Sequence, residues 1–268
     1  MVHAPWSSNE NPFRFAAASF SYKAERVMDA TGEIGPQPPA FLAPAPSLVI
    51  ALVGLTFEAR IAANRDVLVL CGKKGRDHLL SQAVWSAQRG CRAIVSFGVA
   101  GGLAPHLRPG DVIVASAIHD EGTLHPTDRL RSELLLKAIP HSNYSAIAGV
   151  DAPVVDPRGK RELNARTGAV AIDMESHLVA RMAAARGVAF VAIRVIVDPA
   201  ERVVPSAALA AMRPDGSTSI CAVLSGLMAE PRQAKAMARI ALDLYAARSS
   251  LVRVRQLLGR GFGLSDLD

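Results

Sequence analysis

The chain has 268 residues, half of them hydrophobic, and its 30 Lys and Arg against 24 Asp and Glu give a formal net charge of +6. This length is sufficient for one large α/β domain with a sizeable core, and the low aromatic content argues against an aromatic-rich β-sandwich. Three cysteines without metal-ligand spacing argue against a disulfide framework or a structural zinc site, and they fit a reducing cytoplasm.

The first 46 residues differ from the rest, since they show no sustained periodicity and end in a proline-rich stretch. Repeated prolines prevent a regular helix and favour an extended linker. We therefore predict a disordered or extended segment over 1–46 and a single folded domain over 47–268 that ends in basic helices. No secretory signal is visible, and the apolar runs are too short to span a bilayer, so we expect a cytoplasmic protein.

Short apolar runs alternate with helical patterns along the folded part of the chain. The runs predict buried strands at 48–53, 66–71, 93–97, 111–118, 144–150 and 188–198. Helices are predicted at 56–64, 78–89, 128–138, 176–186 and beyond 206. Residues 98–102 are predicted to be a glycine-rich turn, and the segment 119–145 is predicted to be a loop that contains only the short helix at 128–138. This succession predicts an α/β fold, a three-layer α/β/α sandwich around a mixed, mainly parallel twisted sheet.

Ligands of open α/β sheets lie beyond the carboxyl ends of the strands, and four features of this chain fall there. Glu58 follows the first strand, the glycine-rich segment follows the third, Asp198 ends the strand at 188–198, and Glu175 lies at a helix start. Each feature alone has an ordinary structural explanation. The glycines would make a tight connection, Asp198 before a proline would start a turn, and Glu175 would favour the helix dipole.

Together, four sequence blocks resemble the methylthioadenosine/adenosylhomocysteine nucleosidases. They are residues 54–58, the glycine segment 96–115, the IDMES segment 172–176 and the RVIVDPA segment 194–200. The blocks follow the order of that family and cover roughly residues 48–205. Within the nucleoside phosphorylase and nucleosidase superfamily, the chain looks nearest to the hopanoid-associated phosphorylase group. That likeness extends into residues 212–216 and the Arg-rich C-terminal part.

The resemblance implies a chemical role for each matched residue. Asp198 matches the acid that protonates purine N7, so its pKa should be raised by its surroundings. Glu58 matches the residue that positions and deprotonates the attacking water. Glu175 matches the residue that binds the ribose hydroxyls, and Met174 matches the one that packs on the sugar.

Further substrate contacts are implied at the purine base and along the glycine segment. The predicted substrate-binding residues there are Val154, Gly98, Val99, Ala100 and Gly101. Two departures from the family pattern concern hydroxyl groups, because Val99 and Val197 stand where the family usually has serine. Their loss predicts either a drier site or a substrate that places its groups differently, and in both cases a changed hydrogen-bond network. Neither a metal nor another cofactor is expected, and the histidines, which lack metal-ligand spacing, are predicted to be surface or loop residues.

The residue at position 58 also bears on whether water or phosphate attacks the sugar. Related purine nucleoside phosphorylases have an arginine matching this position and another just before the glycine segment. A carboxylate at Glu58 repels phosphate and favours water as the nucleophile. Phosphorolysis, with phosphate as a co-substrate, is the alternative, since Arg60, Arg194 or the N–H groups of 98–102 could form an anion site. The ordinary interpretation of both arginines is surface or structural pairing.

The resemblance implies adenosylhopane as the substrate, with adenine released and ribosylhopane formed. The stretch 232–260 contains seven Arg or Lys, one acid, Asp243, and interleaved apolar residues. Such a helix could rest on the inner face of the cytoplasmic membrane, or it could be an ordinary surface helix. Relatives commonly form dimers, so a homodimer is expected, and no nucleic-acid partner is implied.

Three other functions stay open. A methylthioadenosine/adenosylhomocysteine nucleosidase would use the same residues on a smaller substrate. A nucleotide-cofactor oxidoreductase is supported only by the glycine segment, which lacks the G-x-G-x-x-G spacing. A non-catalytic binder of nucleosides or lipids is permitted by Val99 and Val197, but it is opposed by the presence of Glu58, Glu175 and Asp198.

Overall fold

The computed structural model describes residues 49–71, 83, 91–205, 232 and 234–264. The predicted segment 1–46 and most of the predicted helical regions at 78–89 and 206–231 lie outside the described residues. The strands are β1 Val49–Val53, β2 Val67–Cys71, β3 Ala93–Gly102, β4 Val112–Asp120, β5 Thr123–Pro126, β6 Asn143–Gly149, β7 Ala171–Asp173 and β8 Phe190–Asp198. The helices are α1 Thr56–Ala62, α2 Arg129–Ala138, α3 Pro157–Thr167, α4 Ser176–Arg186 and α5 Ala234–Leu258, followed by a short 3-10 helix, Arg260–Gly263.

All of these strands belong to one mixed sheet. Their order is β2-β1-β3-β7-β6-β4-β5, and β8 pairs with both β3 and β4. The strands β3, β8, β4, β6 and β7 therefore close into a ring, while β1 and β2 extend from it. Neighbours are parallel except in the pairs β3–β7, β4–β5 and β4–β8. The predicted α/β class with a mixed, mainly parallel sheet is confirmed.

The sheet has an apolar core on each face, because the side chains of successive strand residues point to opposite sides. In β1, Val49, Ala51 and Val53 pack with residues of α1, α2 and α5. The alternate residues Ile50 and Leu52 belong to the second cluster, which includes the buried side of α4. Every residue of β1 is buried, and this explains why the strand is an uninterrupted apolar run.

The prediction of a glycine-rich turn at 98–102 is wrong, because these residues continue β3 to Gly102. Their backbone pairs with β8 in parallel, and Gly101 also pairs with Ile172 of β7. A β-bulge between Ala100 and Gly101 shifts the register with β8. Gly98, Gly101 and Gly102 all have ordinary negative φ angles. Glycine is therefore not needed here for its backbone conformation. It allows neighbouring side chains to pack close to the strand.

A β-hairpin occupies part of the segment 119–145, where the sequence predicts a loop with one short helix. Strand β4 continues to Asp120, which pairs with Thr123 at the start of β5. The two residues between them, Glu121 and Gly122, have φ angles of 45° and 91°. Positive φ at both central positions matches the right-handed twist of a two-residue hairpin.

Helix α3 lies in a segment for which the sequence analysis predicts no element. Asp156 caps its amino end and accepts hydrogen bonds from the N–H groups of Arg158 and Gly159. Pro157 occupies the first turn, and Gly168 ends the helix with a φ of 69°. Asp-Pro at the start and glycine at the end are known helix boundary signals, so the sequence contained this information.

Candidate active site

Glu58 lies in the first turn of α1 and is only 2% exposed. Its Oε1 accepts a hydrogen bond from the N–H of Val99 at 2.7 Å. Its Oε2 accepts from the N–H groups of Gly54 at 3.0 Å and Leu55 at 2.8 Å. These bonds fix the carboxyl group between the end of β1 and the glycine segment of β3. The Val99 N–H is therefore already engaged by a carboxyl group and does not face an anion site.

The surroundings of Glu58 bring its pKa into the neutral range. Burial raises the pKa to about 7, although Arg194 and the hydrogen bonds from Val99 and Leu55 act in the opposite direction. The negative charge of Glu175 adds to the increase. A carboxylate with such a pKa is able to accept a proton from water near neutral pH.

Arg194 is buried at the centre of the site, with 1% of its surface exposed. Its Nε donates to Asp173 Oδ2 at 2.5 Å, and its Nη2 donates to the hydroxyls of Ser96 and Ser176 at 2.7 and 2.9 Å. Burial disfavours the charged form of Asp173, but the pairing with Arg194 and Ser176 holds the pKa of Asp173 below its ordinary value. Arg194 is therefore a structurally paired residue, as its ordinary interpretation predicts. Arg60 is exposed, which agrees with a surface position.

Three glycines allow charged side chains to approach the backbone closely. A Cβ atom at Gly98 would lie 2.7 Å from Cδ of Glu58 and 2.8 Å from Nη1 of Arg194. At Gly54 it would lie 2.9 Å from Oε1 of Glu175, and at Gly101 it would lie 3.1 Å from Oδ1 of Asp198. A methyl group at Gly98 or Gly54 would force a neighbouring atom to move, and one at Gly101 would press tightly against Asp198. Glycine at these positions therefore lets the charged side chains pack close to the backbone.

Gly98→Ala is expected to displace Glu58 and to destabilise the protein by about 1–3 kcal/mol, as overpacking of a dense interior does. Thermal unfolding measures this loss of stability. In a Glu58→Ala background the obstructing carboxyl group is gone, so the same change should cost less stability. Equal costs in both backgrounds would contradict the proposed cause.

Asp198 ends β8 and forms an ion pair with Lys160 of α3. Burial raises the pKa of Asp198 above its ordinary value, although Lys160 and Arg202 lower it. The direction agrees with the requirement that an acid keep its proton near neutral pH. Lys160 is a residue that the sequence analysis missed, because it lies 38 positions before its partner and in the unpredicted helix α3.

The other predicted site residues lie around these charges. Met174 and Glu175 follow β7 at the start of α4, and both are partly buried. Ala100 is buried in β3, and Val154 packs against the Leu103 cluster beside α3. Val99 and Val197, which replace the serines of the family pattern, pack against the larger apolar core. Apolar packing accounts for valine at these two positions.

The histidines were predicted to be surface or loop residues, and for His177 this is wrong. It lies in α4 with only 2% of its surface exposed, and its Nε2 is 3.3 Å from Oδ1 of Asp151. It also fills the space above Gly149, where a Cβ would collide with its ring. Within the described ranges, no group of three His, Cys, Asp or Glu side chains is arranged to hold a metal ion.

Solved structures similar to this fold include a nucleosidase and a hydrolase. A methylthioadenosine/adenosylhomocysteine nucleosidase from Neisseria meningitidis, bound to methylthio-immucillin-A, aligns over 79% of this chain and 98% of its own (TM-score 0.58, 15% identity). The futalosine hydrolase of Helicobacter pylori aligns over 81% of this chain and 98% of its own (TM-score 0.55, 17% identity). These likenesses establish the common fold.

The family model of the phosphorylase superfamily matches residues 49–229, and the chain belongs to this superfamily. In sequence, it is 26% identical over 184 residues to a 5'-methylthioadenosine/S-adenosylhomocysteine nucleosidase from Mycobacterium bovis. That alignment covers 53% of this chain and 72% of the relative. The prediction of an enzyme of the nucleoside phosphorylase and nucleosidase type is confirmed.

Proposed function

We propose that this protein hydrolyses the N-glycosidic bond of an adenosine-type nucleoside. The observation that carries the proposal is the arrangement of Glu58, Glu175 and Asp198 at the carboxyl ends of β1, β7 and β8, with Glu58 buried at the glycine segment. Two carboxyl groups whose surroundings raise their pKa values suit paired acid and base chemistry.

In this mechanism, the protonated carboxyl group of Asp198 donates its proton to purine N7 as the bond between C1′ and N9 breaks. The electron pair of that bond stays with the purine, which leaves neutral, and positive charge develops on the ribosyl ring. Glu58 removes a proton from water while the water oxygen bonds to C1′. Glu175 holds the ribose hydroxyls. The products are adenine and the free sugar, and solvent returns a proton to Asp198 and takes one from Glu58.

Water is favoured over phosphate because of the charges around the nucleophile position. Arg194 is a buried cation that acts on Glu58, but its Nε and Nη2 groups are bound to Asp173, Ser96 and Ser176. The charges of Glu58 and Glu175 also act on it. An arriving phosphate would therefore meet carboxylates before it met an available cation.

The test of this function is adenine release from methylthioadenosine, adenosylhomocysteine and adenosylhopane in detergent, each with and without phosphate. Release without phosphate supports hydrolysis. A strict phosphate requirement would show phosphorolysis and would contradict the role of Glu58 as base. Binding of these nucleosides without any adenine release would indicate a non-catalytic nucleoside-binding protein.

We further propose that the sugar carries a lipid at its 5′ position, as in adenosylhopane, and that the enzyme works as a homodimer at the inner face of the cytoplasmic membrane. Support comes from the amino half of α5, where the apolar side chains of Leu242 and Tyr245 are 70% and 74% exposed. Exposed Lys235, Arg239 and Arg248 lie on the same helix. Among the described residues, no helix is long and apolar enough to cross a membrane.

A basic cleft of about 400 Å³ lies at the start of α5. Among the described residues that line it, Arg202, Arg232, Lys235 and Arg239 are basic and Glu201 alone is acidic. The cleft begins at the loop that follows Asp198. This position supports attraction of the enzyme to an anionic lipid surface close to the proposed site of cleavage.

The double variant Leu242→Asp/Tyr245→Asp is expected to bind vesicles containing an anionic phospholipid at least about 10-fold more weakly, since two apolar side chains lose their insertion energy. Co-sedimentation with anionic and with neutral vesicles measures the effect. Leu130→Asp, on α2, is the control, because Leu130 is an apolar residue that is 59% exposed and lies outside the basic helix. Equal vesicle binding by all three proteins would contradict the membrane proposal.

A further inference from the structure

Lys160 is a fully buried cation next to the proposed acid. It lies on α3 and has no exposed surface. Its Nζ donates to Oδ2 of Asp198, to the carbonyl oxygen of Pro199 at 3.0 Å and to that of Arg202 at 3.4 Å. These acceptors engage all three N–H bonds of the ammonium group. Lys160 therefore has no donor left for a substrate, and any effect on the reaction has to act through Asp198.

The two oxygens of Asp198 have different surroundings. Oδ2 is occupied by Lys160, whereas Oδ1 lies nearer to the glycine segment, 3.1 Å from the position of a Cβ on Gly101. The side chain of Asp198 is 19% exposed, and that of Lys160 is completely enclosed. Lys160 thus binds Oδ2, and Oδ1 is the carboxyl oxygen that lies closer to the glycine segment, at 3.1 Å against 3.6 Å for Oδ2.

We propose that Lys160 is a positioning residue, which fixes Asp198 through Oδ2 so that Oδ1 alone delivers the proton to the purine. The bonds from Lys160 to Pro199 and Arg202 also fix the backbone that follows the acid. This inference rests on the proposed function, because it takes Asp198 as the proton donor.

The charge of Lys160 also favours release of the proton. Arg202, the other charged group acting on Asp198, is itself paired with Asp243 of α5. Without Lys160, burial would act on Asp198 with less opposition, and the carboxyl group would keep its proton to higher pH. A more tightly bound proton makes a weaker general acid.

The experiment compares Lys160→Met and Lys160→Gln with the wild-type enzyme in adenine release across a pH series. We expect kcat to fall about 10- to 100-fold with little change in KM, as for a misplaced reacting group. We also expect the alkaline limb of the rate profile to move to higher pH, since Asp198 must be protonated to act. Gln keeps N–H donors for the carbonyl groups of Pro199 and Arg202 but carries no charge. If Lys160→Met does not fold, Lys160→Gln therefore still tests the effect of the charge.

Arg161→Met is the matched control, because Arg161 is an exposed neighbour on the same helix. A loss of rate with an unmoved pH profile and a lower melting temperature would make Lys160 merely structural and overturn the inference. Unchanged rates in both Lys160 variants would also overturn it. Asp198→Asn separates the two proposals: if this variant keeps full activity, the proposed acid fails, and the inference about Lys160 fails with it.

Discussion

Asp198→Asn is expected to lower kcat for adenine release by about 10²–10⁴-fold, the range that general acid catalysis supplies. Asn has nearly the same shape but no acidic proton, so the leaving purine would have to depart as an anion. Binding should change little, because Asn can still donate a hydrogen bond to purine N7. Single-turnover kinetics and nucleoside titration separate the two effects.

The control for this variant is Asp156→Asn, a change of the same type at the amino end of α3. Asp156 is a helix cap, and Asn is an equally good cap. We expect this control to keep both its melting temperature and its activity. Comparable loss of kcat in the two variants would contradict a specific chemical role for Asp198, and full activity of Asp198→Asn would assign the acid elsewhere.

The sequence predicts the strands well where burial is uniform. β1 is a continuous apolar run, β8 is apolar apart from Arg194 and the terminal Asp198, and helix α4 is found at the predicted residues, 176–186. Prediction failed at the glycine segment for a physical reason. Glycine is common in turns, so its presence at 98–102 indicated a turn, but here it makes room for Glu58, Arg194 and Asp198. That requirement exists only in the folded protein.

Resemblance to a family led to the proposed carboxyl groups, but it did not lead to the partners that tune them. Arg194 contacts Ser96 across 98 sequence positions, and Lys160 contacts Asp198 across 38. A buried Arg or Lys cannot be distinguished by pattern from an exposed one, and exposure is the usual state of both. The local electrostatics of the site therefore had to come from the structure.

Glu58→Gln is expected to lower kcat by about 10²–10⁴-fold, because Gln cannot accept the proton of the attacking water. The amide also fits the pocket poorly. Glu58 accepts three backbone N–H bonds on its two oxygens, and the NH₂ group of Gln would face at least one of those donors. Melting temperatures of both proteins check whether the fold survives, and Glu133→Gln, at an exposed site on α2, is the control.

The pH dependence gives a sharper test of the same residue. The base has to be deprotonated, and the pKa of Glu58 is raised to about 7, so the acidic limb of kcat/KM in the wild-type enzyme should have its midpoint near pH 7. An ordinary exposed glutamate would place that midpoint near 4.5. The residual activity of Glu58→Gln should lack this limb, and a wild-type rate that stays constant down to pH 5 would show that Glu58 is not the base.

The same pKa has a consequence for stability. The folded state binds the Glu58 proton more tightly than the unfolded chain does, so the contribution of Glu58 to the free energy of unfolding is complete below pH 4.5. It is lost as the pH rises through about 7. Compared with Glu58→Gln, the wild-type protein should therefore lose stability between pH 4.5 and 7. Parallel urea titrations of both proteins over this range measure the difference, and a constant difference would place the pKa of Glu58 outside it.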